Sequence, residues 1–244
     1  GVGRGHIHGV LQFAQGDSRV ELVGVAEEDA ATREALRDGK VEITHDSFER
    51  LLDETGCDIV AIGDYYGRRG SLAIEALRRG KHVLADKPLC TDLGEWEQIR
   101  ALAREKGLSV GCQLDLRDNP RFRTLRRLVR EGTIGEVHAV FFGGQHPLND
   151  GSRAGWYFEP GKHGGTINDI AVHACDFIPW ITGQPFVEVN AARNWNARLK
   201  EVPHFKDAAQ VMMTLGNGAG VLGDVSYLMP DSFGYGLPQY WRVT

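Results

Sequence analysis

Cysteine is sparse and scattered. Cys57, Cys90, Cys112 and Cys175 form no C-x-x-C pair and show no Cys/His ligand spacing, which argues against a disulfide framework and against a structural zinc site, so no metal is expected. Long apolar runs are missing as well. No stretch approaches the roughly 18 residues of a membrane span, and no signal peptide is visible, so a cytoplasmic protein without membrane contact is expected. There is no long basic run to neutralise a phosphate backbone, and the net charge is -5, so no nucleic-acid partner is expected. Internal repeats and low-complexity tracts are absent too.

What is present is an ordinary globular composition, 42% hydrophobic and 25% charged over 244 residues, which excludes disorder, collagen and coiled coil. The first half alternates short apolar runs with helical patterns. Strands are predicted at 19–26, 41–43, 57–63, 81–86 and 108–113, and helices near 30–37, 47–54, 71–79 and 93–106. The runs at 57, 81 and 108 are apolar on both faces, as a parallel sheet covered by helices requires. An α/β fold follows: a doubly wound Rossmann domain over 1–115. From residue 116 to 244 the pattern predicts an α+β domain with a large open, mainly antiparallel sheet. It has a basic amphipathic helix at 120–131, a polar Gly/His/Asn/Trp loop to 165, a helix at 168–182, and strands at 136–144, 186–195, 208–216 and 218–229. Nothing ahead of Gly1 supplies the strand that a glycine turn follows, and the sequence stops in strand-like residues; apolar residues before Gly1 and a strand-and-helix segment after Thr244 are expected.

The opening segment, Gly1, Gly3, Arg4, Gly5 and His6, reads as a glycine turn that sets backbone N–H groups and a helix N-terminus against a pyrophosphate. A tight turn in any α/β protein has the same pattern. Glu27 adds weight, because it ends the next predicted strand at about the 20-residue spacing where a carboxylate accepts the adenosine ribose hydroxyls. It would repel a 2′-phosphate, so NAD is expected in preference to NADP. The alternative is a solvated acid at the start of a helix, within Glu27-Glu28-Asp29.

Two longer motifs are more specific. Gly80-Lys81-His82-Val83-Leu84-Ala85-Asp86-Lys87-Pro88 resembles the G-K-H-V-x-x-E-K-P signature of the Gfo/Idh/MocA oxidoreductases, the family of glucose-fructose oxidoreductase and inositol dehydrogenase, with Asp86 in place of glutamate. Gly164-Gly165 through Asp169, His173, Asp176 and Trp180 resembles that family's G-G-x-x-x-D-x-x-x-H-x-x-D-x-x-x-W helix. The resemblance spans essentially the whole chain. It implies NAD-dependent hydride transfer to or from a sugar or polyol, in a homodimer or homotetramer formed through the open sheet. Lys87, Asp169 and His173 would be catalytic, with Asp86, Lys87 and Pro88 beside the cofactor. A lysine at a strand end can stabilise a developing alkoxide, and a histidine is a natural proton carrier. Asp169 and His173, at i and i+4, would share one helical face.

The chain departs from the family at Asp64-Tyr65-Tyr66-Gly67-Arg68-Arg69, where many members carry T-P-x-x-x-H. Asp64 and Tyr65 are taken as cofactor-loop residues, with Tyr65 or Tyr66 packing on the cofactor; Arg68 and Arg69 read equally well as surface charges. Gln113, Arg117, Asn119, His146, Arg153, Trp156, Tyr157 and His163 offer donors, acceptors and aromatic faces for a sugar ring, and loop packing is the competing role of each. Two other outcomes stay open: a lyase or glycosidase that oxidises a sugar transiently and eliminates a group, and a non-catalytic sugar or dinucleotide sensor.

Overall fold

The computed structural model describes residues 6–37, 41–233 and 239–244. The chain divides into two compact units, Gly1–Gln113 and Leu114–Thr244. No helix among the described residues is long and apolar enough to cross a membrane.

In the first unit, α1 (Ile7–Gly16), α2 (Ala30–Ala35) and α3 (Phe48–Glu54) precede a parallel sheet. Its strands are β1 (Ile59–Ile62), β2 (His82–Asp86) and β3 (Val110–Gln113), in that spatial order. Helices α4 (Tyr66–Arg78) and α5 (Leu93–Lys106) make the crossovers. Local chemistry sets the boundaries. Asp29, Ser47 and Asp92 cap α2, α3 and α5 by accepting from Thr32, Arg50 and Glu95 backbone N–H groups, and Gly107 ends α5 at φ +65°. Val60, Ile62, Val83 and Ala85 pack with Leu72, Ala73, Ala76, Leu77 and Ile99 into one core.

Two predicted strands do not form. Residues 19–25 and 41–44 make no ladder; only Ala26 and His45 form an isolated parallel bridge. Their β-branched pattern survives as packing, with Val25 and Leu11 buried against Val41 and Ile43, but a strand needs a neighbour for its N–H and C=O groups and no described strand lies beside them. Helix α4 starts five residues before the position expected from pattern, because Gly67 and Gly70 look like breakers. Gly70 instead permits close packing: a Cβ there would sit 2.0 Å from Glu95 Oε2 of α5.

In the second unit, α6 (Pro120–Arg130) leads into β4 (Ala139–Pro147). After a π-helical turn over Ile167–Ala171 come α7 (Val172–Thr182), β5 (Phe186–Trp195), β6 (Ala208–Leu215), β7 (Gly220–Met229) and β8 (Gln239–Val243). The order is β5-β6-β7-β4-β8, antiparallel except for the parallel β4–β7 pair. Phe142, Val140, Val221 and Val225 face the helices, where Phe177, Ile178 and Ile181 of α7 complete the core. The other face carries Met212 opposite Leu222, 45% and 50% exposed, and Phe141 stacked on Tyr240.

Candidate active site

Strand β2 ends at Asp86, so Lys87 emerges at the C-terminal edge of the parallel sheet, where open α/β sheets present ligands. The Lys87–Pro88 peptide is cis. The Asp86 carboxylate is 4% exposed; Oδ1 accepts from Lys87 N–H at 2.7 Å and meets His6 Nδ1 at 3.0 Å, while Oδ2 accepts from Arg69 Nη2 at 3.1 Å. Burial alone would raise the Asp86 pKa. The His6 hydrogen bond and the charges of Arg69, His6 and Lys87 outweigh it and hold the group below the usual carboxylate range. Gln113 ends β3 opposite Asp86, and its amide lies close to Gly9 of α1.

Of the expected cofactor residues, Gly1, Gly3, Arg4 and Gly5 lie outside the described residues. His6 stands at the N-cap of α1, but its side chain turns to Asp86 and does not cap the helix. Gly63 lets β1 pass against Ile7 of α1, where a Cβ would come within 2.6 Å. Glu27 is 6% exposed and accepts from Asp29 N–H at 3.0 Å. Asp64 accepts from Tyr65 N–H and from Arg68, whose other partner is Glu28. An α1 N-terminus not capped by His6, behind a glycine-rich segment and in the same unit as a buried, anchored carboxylate, fits a dinucleotide.

In the second unit Asp169 lies in the π-turn and His173 in the first turn of α7. The one-face argument assumed α-helical winding throughout, and the π-turn alters it. Asp169 is brought together with His163 and Tyr227: Tyr227 Oη donates to Oδ2, and His163 Nε2 lies 3.6 Å from Oδ2 and 3.3 Å from Tyr227 Oη. All three are buried. His173 lines a small recess with Gly143, Gly144, Ile170 and Trp241.

The other predicted substrate residues are spread over this unit. Tyr157 packs between Trp156 and His163, at ring distances of 4.4 and 4.7 Å, and His146 is 6.2 Å from Tyr227. Arg153 stacks on Tyr157 and Tyr227 while donating to the Leu148 and Pro147 carbonyls. Arg117 pairs with Asp176 through two nitrogens beside Trp180, and Asn119 caps α6. Two residues were missed. Tyr227 was read only as strand, although a buried tyrosine hydroxyl needs a partner; Arg69 was given no site role, a surface charge being an equally good reading, and it is 2% exposed. Among the described residues no group of three or more His, Cys, Asp or Glu is arranged to hold a metal.

A parallel sheet with a carboxylate-anchored lysine at its C-terminal edge, followed in sequence by a mostly antiparallel sheet unit with a buried Asp and His, is the architecture of a two-unit α/β protein with a Rossmann-type first unit. Residues 1–113 match the family model described as oxidoreductase family, NAD-binding Rossmann fold, and residues 122–243 match the GFO/IDH/MocA C-terminal domain. The chain belongs to the GFO/IDH/MocA family. It is 32% identical over 142 residues to a 1,5-anhydro-D-fructose reductase of Ensifer adhaerens, covering 55% of this chain and 40% of that one. A levoglucosan dehydrogenase of Pseudarthrobacter phenanthrenivorans is 25% identical over 211 residues, covering 84% and 52%. The chain thus spans about half the length of the curated relatives it matches. The WlbA dehydrogenase of Bordetella pertussis, solved with NADH and UDP-GlcNAcA, superposes with a TM-score of 0.83 over 100% of this chain and 74% of that one at 20% identity, a likeness of fold.

Proposed function

We propose that this protein transfers a hydride between a sugar or polyol carbinol carbon and the nicotinamide of NAD, and that it works as a homo-oligomer. When bound, NAD supplies a hydride acceptor at nicotinamide C4. Lys87 hydrogen-bonds the substrate oxygen and stabilises it as alkoxide character develops. His173 takes the hydroxyl proton, and Asp169 holds the reacting groups in register. The observation that carries the reading is the Asp86–Lys87–Pro88 segment, anchored on a buried carboxylate at the ligand-presenting edge of the sheet. The apolar outer stripe of Met212, Leu222 and Tyr240 supports the oligomer.

The test is single-turnover hydride transfer followed by nicotinamide absorbance on the full-length protein, across a panel of aldoses and inositols. His173→Ala and Lys87→Met are expected to slow transfer by roughly 10² to 10⁴-fold, the usual contribution of a proton-transfer group, with NAD affinity near wild type. Unchanged transfer in either variant removes that residue's role.

A further inference from the structure

Arg69 is among the largest fully buried side chains of the protein. A buried guanidinium is tolerated only where its donors are met, and here each nitrogen has an acceptor. Nε donates to Asp64 O at 2.7 Å, just past the end of β1. Nη1 donates to Lys87 O and, at 3.4 Å, to Pro88 O; Nη2 donates to Asp86 Oδ2 at 3.1 Å, at the end of β2. Its carbon lies 4.6 Å from the Tyr66 ring centroid, and Lys87 Nζ lies 5.9 Å from the same ring. One planar fork from α4 thus ties the ends of two neighbouring strands. Lys87 is held on both sides: its N–H by Asp86, its carbonyl by Arg69.

From this we infer that Arg69 is a positioning residue for Lys87, and that Arg69 and Asp86 work as one matched pair. The inference rests on Lys87 acting on substrate as proposed above. It also joins two departures from the family pattern. Arg69 stands at the histidine of T-P-x-x-x-H and Asp86 at the glutamate of E-K-P, and the two side chains meet: a longer cation against a shorter acid. Lysine cannot substitute, because a point charge on a flexible stem cannot serve Asp64 O, Lys87 O and Asp86 together. Asp86 also meets His6, so the pair ties the entry to α1 to the same segment.

The test uses Arg69→Lys, Arg69→His, Asp86→Glu and the double variant Arg69→His/Asp86→Glu in the full-length protein. Displacement of a catalytic group by about 1 Å can slow turnover by about 10²-fold, so each single variant is expected to lose kcat on that scale with KM for the sugar nearly unchanged. The double variant, which restores the combined length, is expected to recover most of the loss. A second readout needs no turnover: the ¹³C resonance of reductively methylated Lys87 should be distinct in wild type, collapse toward exposed lysines in Arg69→Lys, and return in the double variant. Recovery in both measurements supports the pair. Single variants that fold and keep wild-type kcat and the Lys87 resonance overturn it, as does a double variant no better than the singles. If wild type turns over no sugar or polyol while the resonance responds as described, the proposed function fails and the pairing stands.

Discussion

Tyr227, on β7, donates its phenolic hydrogen bond to Asp169 in the π-turn before α7. Around it the proton positions are constrained. Gly165 N–H donates to His163 Nδ1 at 3.2 Å, so in the neutral ring the proton sits on Nε2, the atom facing Tyr227 and Asp169. Asp169 therefore accepts from Tyr227 in a buried site, and the His163 N–H in turn reaches the Tyr227 oxygen.

Removing one donor tests that arrangement. Tyr227→Phe keeps the ring packing against His163 and Phe205 and deletes only the hydroxyl. A buried acceptor that loses its partner typically costs about 1–3 kcal/mol, so unfolding free energy is expected to fall by that amount. If Asp169 orients the reacting groups, kcat should fall roughly tenfold, with NAD affinity unchanged, as one hydrogen bond of about 1.4 kcal/mol would give. Urea denaturation and steady-state kinetics check the two halves separately; a stability loss with unaltered kcat would make Tyr227 purely structural.

How much of this was legible depended on whether the signal was local. Helix α5 was predicted with the bounds it has, since Asp92 and Gly107 mark its ends within the segment itself. The three parallel strands were visible as doubly apolar runs. Residues 19–25 were misread because strand propensity says nothing of whether a partner lies alongside. The π-turn left no mark in the composition of Ile167–Ala171, and the i, i+4 spacing was read with the α-helical period. Arg69 was the deepest loss: three of its four acceptors, Asp86, Lys87 and Pro88, lie seventeen or more residues away, so an arginine in a loop ahead of the predicted helix looked solvated.

Cofactor choice follows from charge near Glu27. Its carboxylate is buried and anchored, where it would repel a 2′-phosphate; of the described cations beside it, Arg68 is already bridged to Glu28 and Asp64, and Arg33 donates to the Glu27 and Glu28 carbonyls. NAD is expected to raise the thermal unfolding midpoint more than NADP at equal concentration, since a ligand binding only the folded state stabilises in proportion to its affinity. Glu27→Gln should narrow the gap. A shift with NADP equal to or larger than that with NAD would refute the role of Glu27.

The outer face of the second unit's sheet is expected to be covered by a second copy. Met212 and Leu222 pair across β6 and β7 and are both about half exposed, beside the Phe141–Tyr240 stack. Exposed apolar surface of this kind marks an interaction site. Leu222→Lys, with or without Met212→Glu, should halve or quarter the mass seen by light scattering while leaving circular dichroism unchanged; a wild-type monomer would end this reading.

Acid stability should report the Asp86–Arg69 pair directly. A carboxylate with a lowered folded pKa stabilises the native state fully above its unfolded value, 3.8 for a model aspartate, and loses that contribution as pH falls through the folded value. Asp86→Asn leaves Arg69 buried against a neutral partner, so at pH 7 the variant is expected to be less stable by about 3 kcal/mol, the lower end for breaking a buried pair. Below pH 3.8 wild type begins to lose what the variant never had, so the difference between them should shrink there. Urea unfolding of both proteins from pH 7 down to the acid limit measures this. Taking the difference cancels the other carboxylates. A gap that stays constant across that window would mean that the Asp86 charge is not what holds the pair, and that burial of the side chains alone fixes the Lys87 segment.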